Sequence, residues 1–224
     1  MYSEIFITGC DHHTEWQLPW FVENFKKHNE TELFLADFGI SKDMQKWVEK
    51  NQIVSYEVKS QAKGWFKKPR AMLDATVLSH KVCWVDTDCE ILGNIEEIFN
   101  TTVPHKIGMC EDRPWTRRRP EYGKWYNSGV VCFEGKPNIL RAWADECIRN
   151  PFEGDQEVLY GMMRGDEILK LSVIEELPRK YNTLRLDYID SSNVKNPLIV
   201  HHTGRKGKYD IAEKMGIEIN LDES

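Results

Sequence analysis

The chain has 224 residues and a formal net charge of −6, with 41% hydrophobic and 29% charged residues. This length suits one domain, and the composition is that of a globular protein, which excludes a disordered chain. The negative charge argues against a general nucleic-acid binder, because such proteins present a basic surface. No run approaches the ~18 apolar residues of a membrane-spanning helix, so we expect no membrane span.

The start of the chain and the cysteines predict a compartment. Residues 1–8 lack the basic and apolar regions of a signal peptide, and the six cysteines form no CxxC pair. Both features favour reduced thiols and a cytoplasmic location, which would be the host cytoplasm if the source is a virus. No repeat or Gly/Ser-rich linker divides the chain, so we predict a single domain over residues 1–224.

Short apolar runs alternate with helical patterns, which is typical of an α/β protein with a mainly parallel sheet. We predict strands at residues 5–8, 33–36, 53–58, 81–85, 107–110, 130–133 and 198–201. We predict helices at residues 16–27, 42–50, 70–79, 138–149 and 156–164. Ser41 is the expected N-cap of the second helix, and Pro69 suits the entry to the third.

Residues 113–124 are unusually basic. They contain Arg117-Arg118-Arg119 between Pro114 and Pro120, and a polar, proline-bounded stretch of this kind predicts a loop. A basic loop could steer phosphates toward a site, and an ordinary solvated loop is the alternative. The pattern alone does not separate the two.

The sharpest feature is an apolar strand, residues 82–85, that runs directly into Asp86-Thr87-Asp88. Residues two apart in an extended chain face the same way, so Asp86 and Asp88 can converge on one cation. Two carboxylates that leave other coordination positions open suit Mg²⁺ or Mn²⁺, which then take substrate phosphates as further ligands. A chance solvated turn is the alternative for a bare D-x-D, but the apolar flanks favour a metal site at the strand end.

Two other polar clusters adjoin predicted elements. Asn127-Ser128-Gly129 leads into an apolar strand, and its amide and hydroxyl groups could bond to sugar hydroxyls. Asp155-Gln156 opens a predicted helix, where Asp155 could also be a simple N-cap. Ordinary turns are the alternative for both clusters.

A basic segment follows the last predicted strand. His201 could complete a metal site, while backbone amides with Arg205, Lys206 or Lys208 could hold a diphosphate. A structural histidine and solvated lysines are the alternatives. Finding both residue types at one strand end favours the functional interpretation.

Taken in chain order, these motifs form one series. It consists of Thr8-Gly9-Cys10-Asp11, Lys68-Pro69, Asp86-Thr87-Asp88, Asn127-Ser128-Gly129, Asp155-Gln156 and His201-x-x-Gly204. The series resembles the GT-A glycosyltransferases, in particular family 8, the glycogenin-like and galactosyltransferase group. It is also similar to the small glycosyltransferases of large algal viruses, and the ordered combination is more specific than its parts.

The resemblance implies a GT-A fold, in which a Rossmann-like nucleotide part covers about residues 1–92 and a sugar and acceptor part about residues 93–210. It also implies a metal-dependent transfer of a sugar from a nucleotide diphosphate donor. Members of the family commonly use UDP-sugars with Mn²⁺. The acceptor would be a glycan or a protein-linked glycan.

The resemblance also implies which residues hold the metal and the donor phosphates. Asp88 and His201 would be direct metal ligands, and Asp86 would contact the ribose or the metal. The residues implied near the donor phosphates are Lys68, Gly204, Lys206 and Lys208.

Two further sets follow from the resemblance. The residues implied near the nucleotide base and ribose are Thr8, Gly9 and Asp11. The residues implied around the sugar and the reaction centre are Asn127, Ser128, Asp155 and Gln156. If the reaction inverts the anomeric configuration, Asp155 is the candidate base. If it retains the configuration, Gln156 or Asp155 would lie on the reacting face of the sugar.

The end of the series departs from the family pattern His-x-x-Gly-x-x-Lys-Pro-Trp. Here Gly204 is followed by Arg205-Lys206-Gly207-Lys208-Tyr209, so the lysine is displaced by one position and Pro-Trp is missing. The sequence therefore leaves open which basic residue holds the diphosphate.

The main alternative function is a metal-dependent phosphoesterase or nucleotidyltransferase, which could use the same carboxylates with His201 and His202. A nucleotidyltransferase would normally carry a Gly-rich phosphate loop near its first strand, and residues 9–13 do not form one. A noncatalytic carbohydrate-binding module is the third alternative. It would not need a D-x-D at a strand end.

Overall fold

The computed structural model describes residues 2–189 and 194–220. The strands are β1 (Tyr2–Cys10), β2 (Leu33–Asp37), β3 (Val54–Glu57), β4 (Ser79–Val85), β5 (Cys89–Ile91), β6 (Ile107–Glu111), β7 (Tyr126–Glu134), β8 (Ile174–Glu176), β9 (Thr183–Leu184) and β10 (Ile199–His201). The helices are α1 (Leu18–His28), α2 (Lys42–Lys50), α3 (Lys68–Ala75), α4 (Arg113–Arg118), α5 (Asn138–Arg149), α6 (Asp155–Met163), α7 (Glu167–Val173), α8 (Arg185–Ile189) and α9 (Gly204–Met215).

The central sheet has seven strands in the order β3-β2-β1-β4-β7-β6-β8. The first four in this order run parallel to one another, whereas β7 is antiparallel to both β4 and β6. A second, three-stranded sheet has the order β5-β10-β9. The predicted α/β class, with a mostly parallel mixed sheet flanked by helices, is confirmed.

The first strand shows why the predicted strands are continuously apolar. Ile5 and Ile7 face one core, which also contains Trp143 of α5. Phe6 faces the other core, where its ring centre lies 5.1 Å from that of Phe25 in α1. Because helices cover both faces of the sheet, successive residues of a central strand are buried in turn on each side.

Several local predictions are confirmed. Helix α2 has the predicted bounds, and the Ser41 hydroxyl accepts a hydrogen bond from the Met44 N–H at 3.1 Å, as an N-cap does. Helix α3 begins two residues earlier than predicted, with Pro69 in its first turn. It ends at Ala75, before the predicted boundary, because β4 already begins at Ser79.

Three segments differ from the sequence prediction. Residues 113–118 form a helix instead of a loop, because the Asp112 carboxylate accepts a hydrogen bond from the Trp115 N–H and caps it. Residues 204–215, which no helical pattern marked, form α9, and Gly216 ends it in the left-handed region at φ 67°. Asn127 and Ser128 lie inside β7 and not before it.

Other expectations can be compared with the same structure. All six cysteines are free and buried, as expected for reduced thiols. Within residues 2–189 and 194–220, no helix is long and apolar enough to cross a membrane. The division of one domain into nucleotide and acceptor parts, the cytoplasmic location and the absence of a nucleic-acid partner stay predictions.

Glu96 fastens the loop between α1 and β2. Its Oε1 atom accepts hydrogen bonds from the N–H groups of Glu30 at 2.9 Å and Thr31 at 2.8 Å, and from the Thr31 hydroxyl at 2.8 Å. Burial alone would raise the pKa of Glu96, but these hydrogen bonds outweigh it and lower the pKa to about 2. The loop is therefore held by a charged acceptor.

We expect Glu96→Gln to lower the free energy of unfolding by about 1 kcal/mol at neutral pH, because an amide oxygen accepts hydrogen bonds less strongly and the site is partly exposed. Since folding lowers the pKa of Glu96, the wild-type advantage is present above the unfolded-state pKa of about 4.3. It is lost as the pH falls toward about 2.

Urea unfolding of wild type and Glu96→Gln, at neutral pH and at a pH near the folded-state pKa of about 2, measures this effect. Glu97→Gln, a change at the exposed neighbouring residue, is the matched control. An advantage of wild type that persists undiminished in acid would contradict the assigned role of Glu96.

Candidate active site

Strand β4 delivers the D-x-D motif to one edge of the sheet. The Asp86 N–H donates to the Gly129 carbonyl of β7 at 2.8 Å, and the Cys89 N–H donates to the Asp86 carbonyl at 3.1 Å. This turn reverses the chain into β5. The indole N–H of Trp84 also donates to Asp86 Oδ1 at 2.6 Å, so the orientation of the Asp86 carboxylate is fixed.

His201 meets this motif from the second sheet. Strand β10 is antiparallel to β5, with His201 opposite Cys89. The Nε2 atom of His201 lies 3.0 Å from Asp88 Oδ1 and 3.9 Å from Asp86 Oδ2. The Sγ atom of Cys89 belongs to the same cluster, since ligand atoms of Asp88, Cys89 and His201 all lie within 4.8 Å of one another. The three predicted metal ligands therefore converge.

The far side of the imidazole determines which nitrogen carries the proton. His201 Nδ1 lies 3.1 Å from Asn127 Oδ1 and 3.1 Å from Asn182 Oδ1. Both partners are acceptors, and Asn182 Nδ2 donates to Asn127 Oδ1 at 2.8 Å, which supports these amide orientations. Nδ1 is therefore the protonated nitrogen, and Nε2 faces the carboxylates with its lone pair available in the neutral ring.

The electrostatics of the cluster suit a cation. Burial disfavours the imidazolium, but the charge and hydrogen bond of Asp88 raise the pKa of His201 above its usual range. Burial likewise opposes ionisation of Asp88, yet the charge and hydrogen bond of His201 lower its pKa. Carboxylate oxygens suit Mg²⁺ and Mn²⁺, and an imidazole nitrogen favours Mn²⁺ of the two. The residues present thus fit a divalent ion, whose charge would take the place of the imidazolium proton.

Gly129 is required by the closeness of this packing. A Cβ atom at this position would lie 2.1 Å from Cε1 of His201 and 2.9 Å from Oδ1 of Asn127. No side chain fits without moving the imidazole. Gly129 therefore allows His201 to pack directly against the backbone of β7.

Lys68 lies among the carboxylates as a buried cation. The residue is only 4% exposed, and Nζ lies 2.9 Å from Asp86 Oδ1, 3.3 Å from Asp155 Oδ2 and 3.3 Å from the Ser128 carbonyl. Burial disfavours the ammonium, but the charges of Asp155 and Asp86 raise the pKa of Lys68 above its usual range. Lys68 therefore holds two carboxylates of the site in place.

A network of amides fixes Gln156. Its Oε1 atom accepts hydrogen bonds from Asn127 Nδ2 at 3.0 Å and from the Ser128 N–H at 3.1 Å. Its Nε2 atom donates to Asp112 Oδ2 at 3.1 Å, and Asn127 Nδ2 lies 3.3 Å from the same oxygen. Burial raises the pKa of Asp112. The amide plane of Gln156 is thus set from both ends.

The two candidate lysines lie at different places around helix α9. Gly204 starts it in the left-handed region at φ 73°, and Gly207 packs so closely that a Cβ atom would lie 2.0 Å from the His202 carbonyl oxygen. With this register, Lys208 lines the cavity that also contains Asp88 and His201, whereas Lys206 is exposed and lies outside the lining. Although this lysine lies one position later than in the family pattern, the helix still brings Lys208 to the cavity.

These groups surround a cavity of about 470 Å³ at the carboxyl ends of β1 and β4. This volume lies within the usual range of small-molecule sites, which is roughly 300–1,000 Å³. The predicted site residues that line it are Gly9, Asp11, Lys68, Asp86, Asp88, Asn127, Ser128, Asp155, Gln156, His201, Gly204 and Lys208. Most of the motif series is thus brought together at one place.

Comparisons with known proteins bear on this arrangement. No protein-family model matches the sequence, and no curated protein matches it. Solved structures do match: the galactosyltransferase LgtC, in complex with donor and acceptor sugar analogues, aligns with a TM-score of 0.66 over 98% of each chain at 14% identity. This chain has the GT-A glycosyltransferase fold.

Two further neighbours agree with this fold. The glycosyltransferase GlyE of Streptococcus pneumoniae TIGR4 aligns with a TM-score of 0.66 at 18% identity, over 91% of this chain and 55% of GlyE. A glycosyltransferase involved in glycosylation of the major capsid of PBCV-1 aligns with a TM-score of 0.58 at 14% identity, over 96% of this chain and 100% of that one. At these identities the likeness establishes the GT-A fold, and the site itself must support any activity.

Two predicted nucleotide-binding residues do not line the cavity. Thr8 is fully buried in β1, because its side chain points into the core while the neighbouring Gly9 faces the opening. Lys206 of α9 is exposed and lies outside the cavity lining. The roles of both residues in nucleotide binding stay predictions.

The structure adds residues that no motif marked. Asp112 and Asn182 orient Gln156 and His201 from distant parts of the chain. Asp112 follows a predicted strand, as Asp86 does, so the rule that ligands gather at strand ends could have found it. No sequence signal marks Asn182, because its role depends on a contact with His201 across two elements.

We expect Gly129→Ala to weaken Mn²⁺ binding by about 10–100-fold, the range seen when a partner that orients a metal ligand is lost. The added methyl group must displace His201 from Asp88. Gly161→Ala in α6 is the matched control, because a Cβ atom there meets no other atom within 4 Å. Mn²⁺ titration followed by electron paramagnetic resonance measures both variants. Equal Mn²⁺ affinity in Gly129→Ala and wild type would contradict the prediction that His201 is a metal ligand.

Proposed function

We propose that this protein is a metal-dependent glycosyltransferase. It transfers a sugar from a nucleoside diphosphate donor, a UDP-sugar by the resemblance of its motifs, to a glycan or protein-linked glycan. The observation that carries the proposal is the convergence of Asp86, Asp88 and His201 in a cavity of the GT-A fold. Lys208 lines the same cavity and adds the positive charge that a diphosphate requires.

The proposed metal ligands would act on the leaving group, the nucleoside diphosphate. Asp86, Asp88 and His201 would hold Mn²⁺, or Mg²⁺ in its place. When bound, the ion supplies positive charge that stabilises the departing diphosphate. Lys208 would donate a charge-assisted hydrogen bond to a phosphate oxygen, and the start of α9 at Gly204 would place backbone N–H groups beside it.

The turn after β1 would bind the nucleoside. Gly9 and Asp11 line the cavity, and a Cβ atom on Gly9 would lie 2.7 Å from the Trp84 ring and 2.9 Å from the Ala36 carbonyl oxygen. Asp11 Oδ1 already accepts a hydrogen bond from the Thr14 hydroxyl at 3.0 Å. Its other oxygen would accept from a ribose hydroxyl or from a base N–H.

The amide network would position the donor sugar. Asn127 and Ser128 would bond to sugar hydroxyls, and Gln156 would lie at the reacting face with its amide fixed. Lys68 holds the Asp155 carboxylate at 3.3 Å, and we assign to Asp155 the stabilisation of positive charge that develops on the sugar. If the reaction inverts, the same carboxylate would take the acceptor proton, and the anomeric configuration of the product separates the two roles.

The phosphoesterase alternative has less support. Hydrolases that use two metals need a second cluster of ligands. Across residues 2–189 and 194–220, the group of His, Cys, Asp or Glu side chains placed to hold an ion is Asp88, Cys89 and His201. One such cluster beside Lys68 and Lys208 suits the transfer reaction better.

We expect Lys208→Met to weaken UDP binding in the presence of Mn²⁺ by about 10–100-fold, because it removes a charge-assisted contact of about 1.5–3 kcal/mol. Lys206→Met makes the same chemical change on the outer side of α9, and should leave the affinity within about twofold of wild type. Isothermal calorimetry with UDP measures both.

Asp88→Asn tests the metal in the same assay. It should abolish the part of UDP affinity that depends on Mn²⁺, because it removes a negative ligand. Equal losses in the two lysine variants would contradict the assignment of Lys208. UDP affinity that does not change when Mn²⁺ is removed would contradict the proposed metal dependence.

A further inference from the structure

One rim of the cavity carries arginines on an aromatic support. Pro114 and Trp115 of α4 line the cavity, and the exposed Arg118 and Arg119 follow them. The guanidinium carbon of Arg119 lies 5.0 Å from the centre of the Trp115 ring, and that of Arg118 lies 5.9 Å from it. These are cation–π distances, so both guanidinium groups rest over one side chain of the cavity wall.

The Trp115 side chain, on which the two arginines lie, is itself fixed by aromatic contacts. The Trp115 and Trp125 ring centres are 5.8 Å apart, and Trp125 stacks on Tyr160 of α6 at 3.6 Å with an interplanar angle of 9°. The Asp112 carboxylate caps α4 below the tryptophan. The rim is therefore joined to both β7 and α6, which places the two arginines at a defined side of the opening.

The cations on either side of these two arginines are paired with acids. Arg113 is paired with Glu111 at 3.5 Å and Lys124 with Glu176 at 2.6 Å. Arg118 and Arg119 lie between these two pairs. In the part of the chain that the structure describes, no carboxylate forms a salt bridge with either of them.

The acids of the cavity limit where an anion could bind. Glu153 and Glu157 line the cavity on the side of α6. Asp112 also lines the cavity below Trp115, but its carboxylate already accepts hydrogen bonds from the Trp115 N–H and the Gln156 amide. With Arg118 and Arg119 on its rim, the Trp115 side of the opening is therefore more favourable for a negatively charged group than the α6 side.

We propose that Arg118 and Arg119 bind a negatively charged group of the acceptor, a carboxylate or a phosphate carried by the acceptor saccharide. This inference rests on the proposed function, which places the donor diphosphate at the metal cluster and Lys208. The planar guanidinium groups match both anions through paired hydrogen bonds. The donor and the acceptor are then recognised by separate sets of cations, on α9 and at the end of α4.

Three probes of one sugar test the proposal: methyl glucoside, methyl glucuronoside and glucose 6-phosphate. Their affinities are measured by NMR titration on the full chain saturated with UDP and Mn²⁺, so that the donor site is already filled. We expect the two charged probes to bind about tenfold or more tightly than methyl glucoside. The carboxylate and phosphate arms identify which anion is preferred, and added salt should weaken both.

The double variant Arg118→Ala/Arg119→Ala should lower both charged affinities to that of methyl glucoside, with UDP affinity unchanged. Arg164→Ala is the matched control, because its guanidinium carbon lies 4.4 Å from the centre of the Tyr122 ring and neither residue lines the cavity. This control should bind all probes as wild type does.

Several outcomes would overturn the inference about Arg118 and Arg119 and leave the proposed function intact. They are equal affinity for the three probes, no binding of either charged probe, or an equal loss in Arg164→Ala. Wild-type protein that fails to bind UDP would instead refute the proposed donor site. The same comparison without UDP would then still decide whether the two arginines bind an anion.

Discussion

The candidate site depends on one buried positive charge. Asp86 and Asp155 belong to different elements, and both contact Lys68, at 2.9 and 3.3 Å. Without that ammonium group, two carboxylates and the adjacent Asp88 would be buried close together, which costs several kcal/mol for each uncompensated ion. The position of Lys68 follows from the start of α3, where Pro69 suits the first turn. The beginning of one short helix therefore makes the acidic end of the sheet possible.

The mixture of strand directions has a chemical consequence. Strand β4 carries the D-x-D outward, and the antiparallel β7 comes back beside it, so Gly129 lies against both Asp86 and His201. Asn127 of the same strand contacts His201 Nδ1 with its oxygen and Gln156 with its nitrogen. One side chain thus sets both the tautomer of His201 and the orientation of the Gln156 amide. A disturbance at either position is transmitted to the other through Asn127.

The sequence predicts features that depend on neighbouring residues, and it misses those that depend on distant ones. The D-x-D was found because an apolar strand precedes it, and the Ser41 cap because its helix follows directly. Residues 113–118 were predicted as a loop, since prolines and arginines favour one, but the Asp112 cap and the contact of Trp115 with Trp125 hold them as a helix. The sequence also could not predict which of the two lysines lines the cavity. Which of them does so depends on how closely Gly207 packs against His202.

The net charge of −6 shows a similar limit, because it excludes a broadly basic surface and does not describe the local field. The cations around the cavity are few, and each is held by a different kind of contact. Lys68 is held by carboxylates, Lys208 by the register of α9, and Arg119 by the Trp115 ring. Helices α4 and α9 lie outside the sheet, and their attachment depends on close packing and aromatic contacts. If the proposed function holds, substitutions in these two helices can therefore change donor or acceptor recognition while the hydrogen-bonded sheet that leads to Asp86 and Asp88 stays the same.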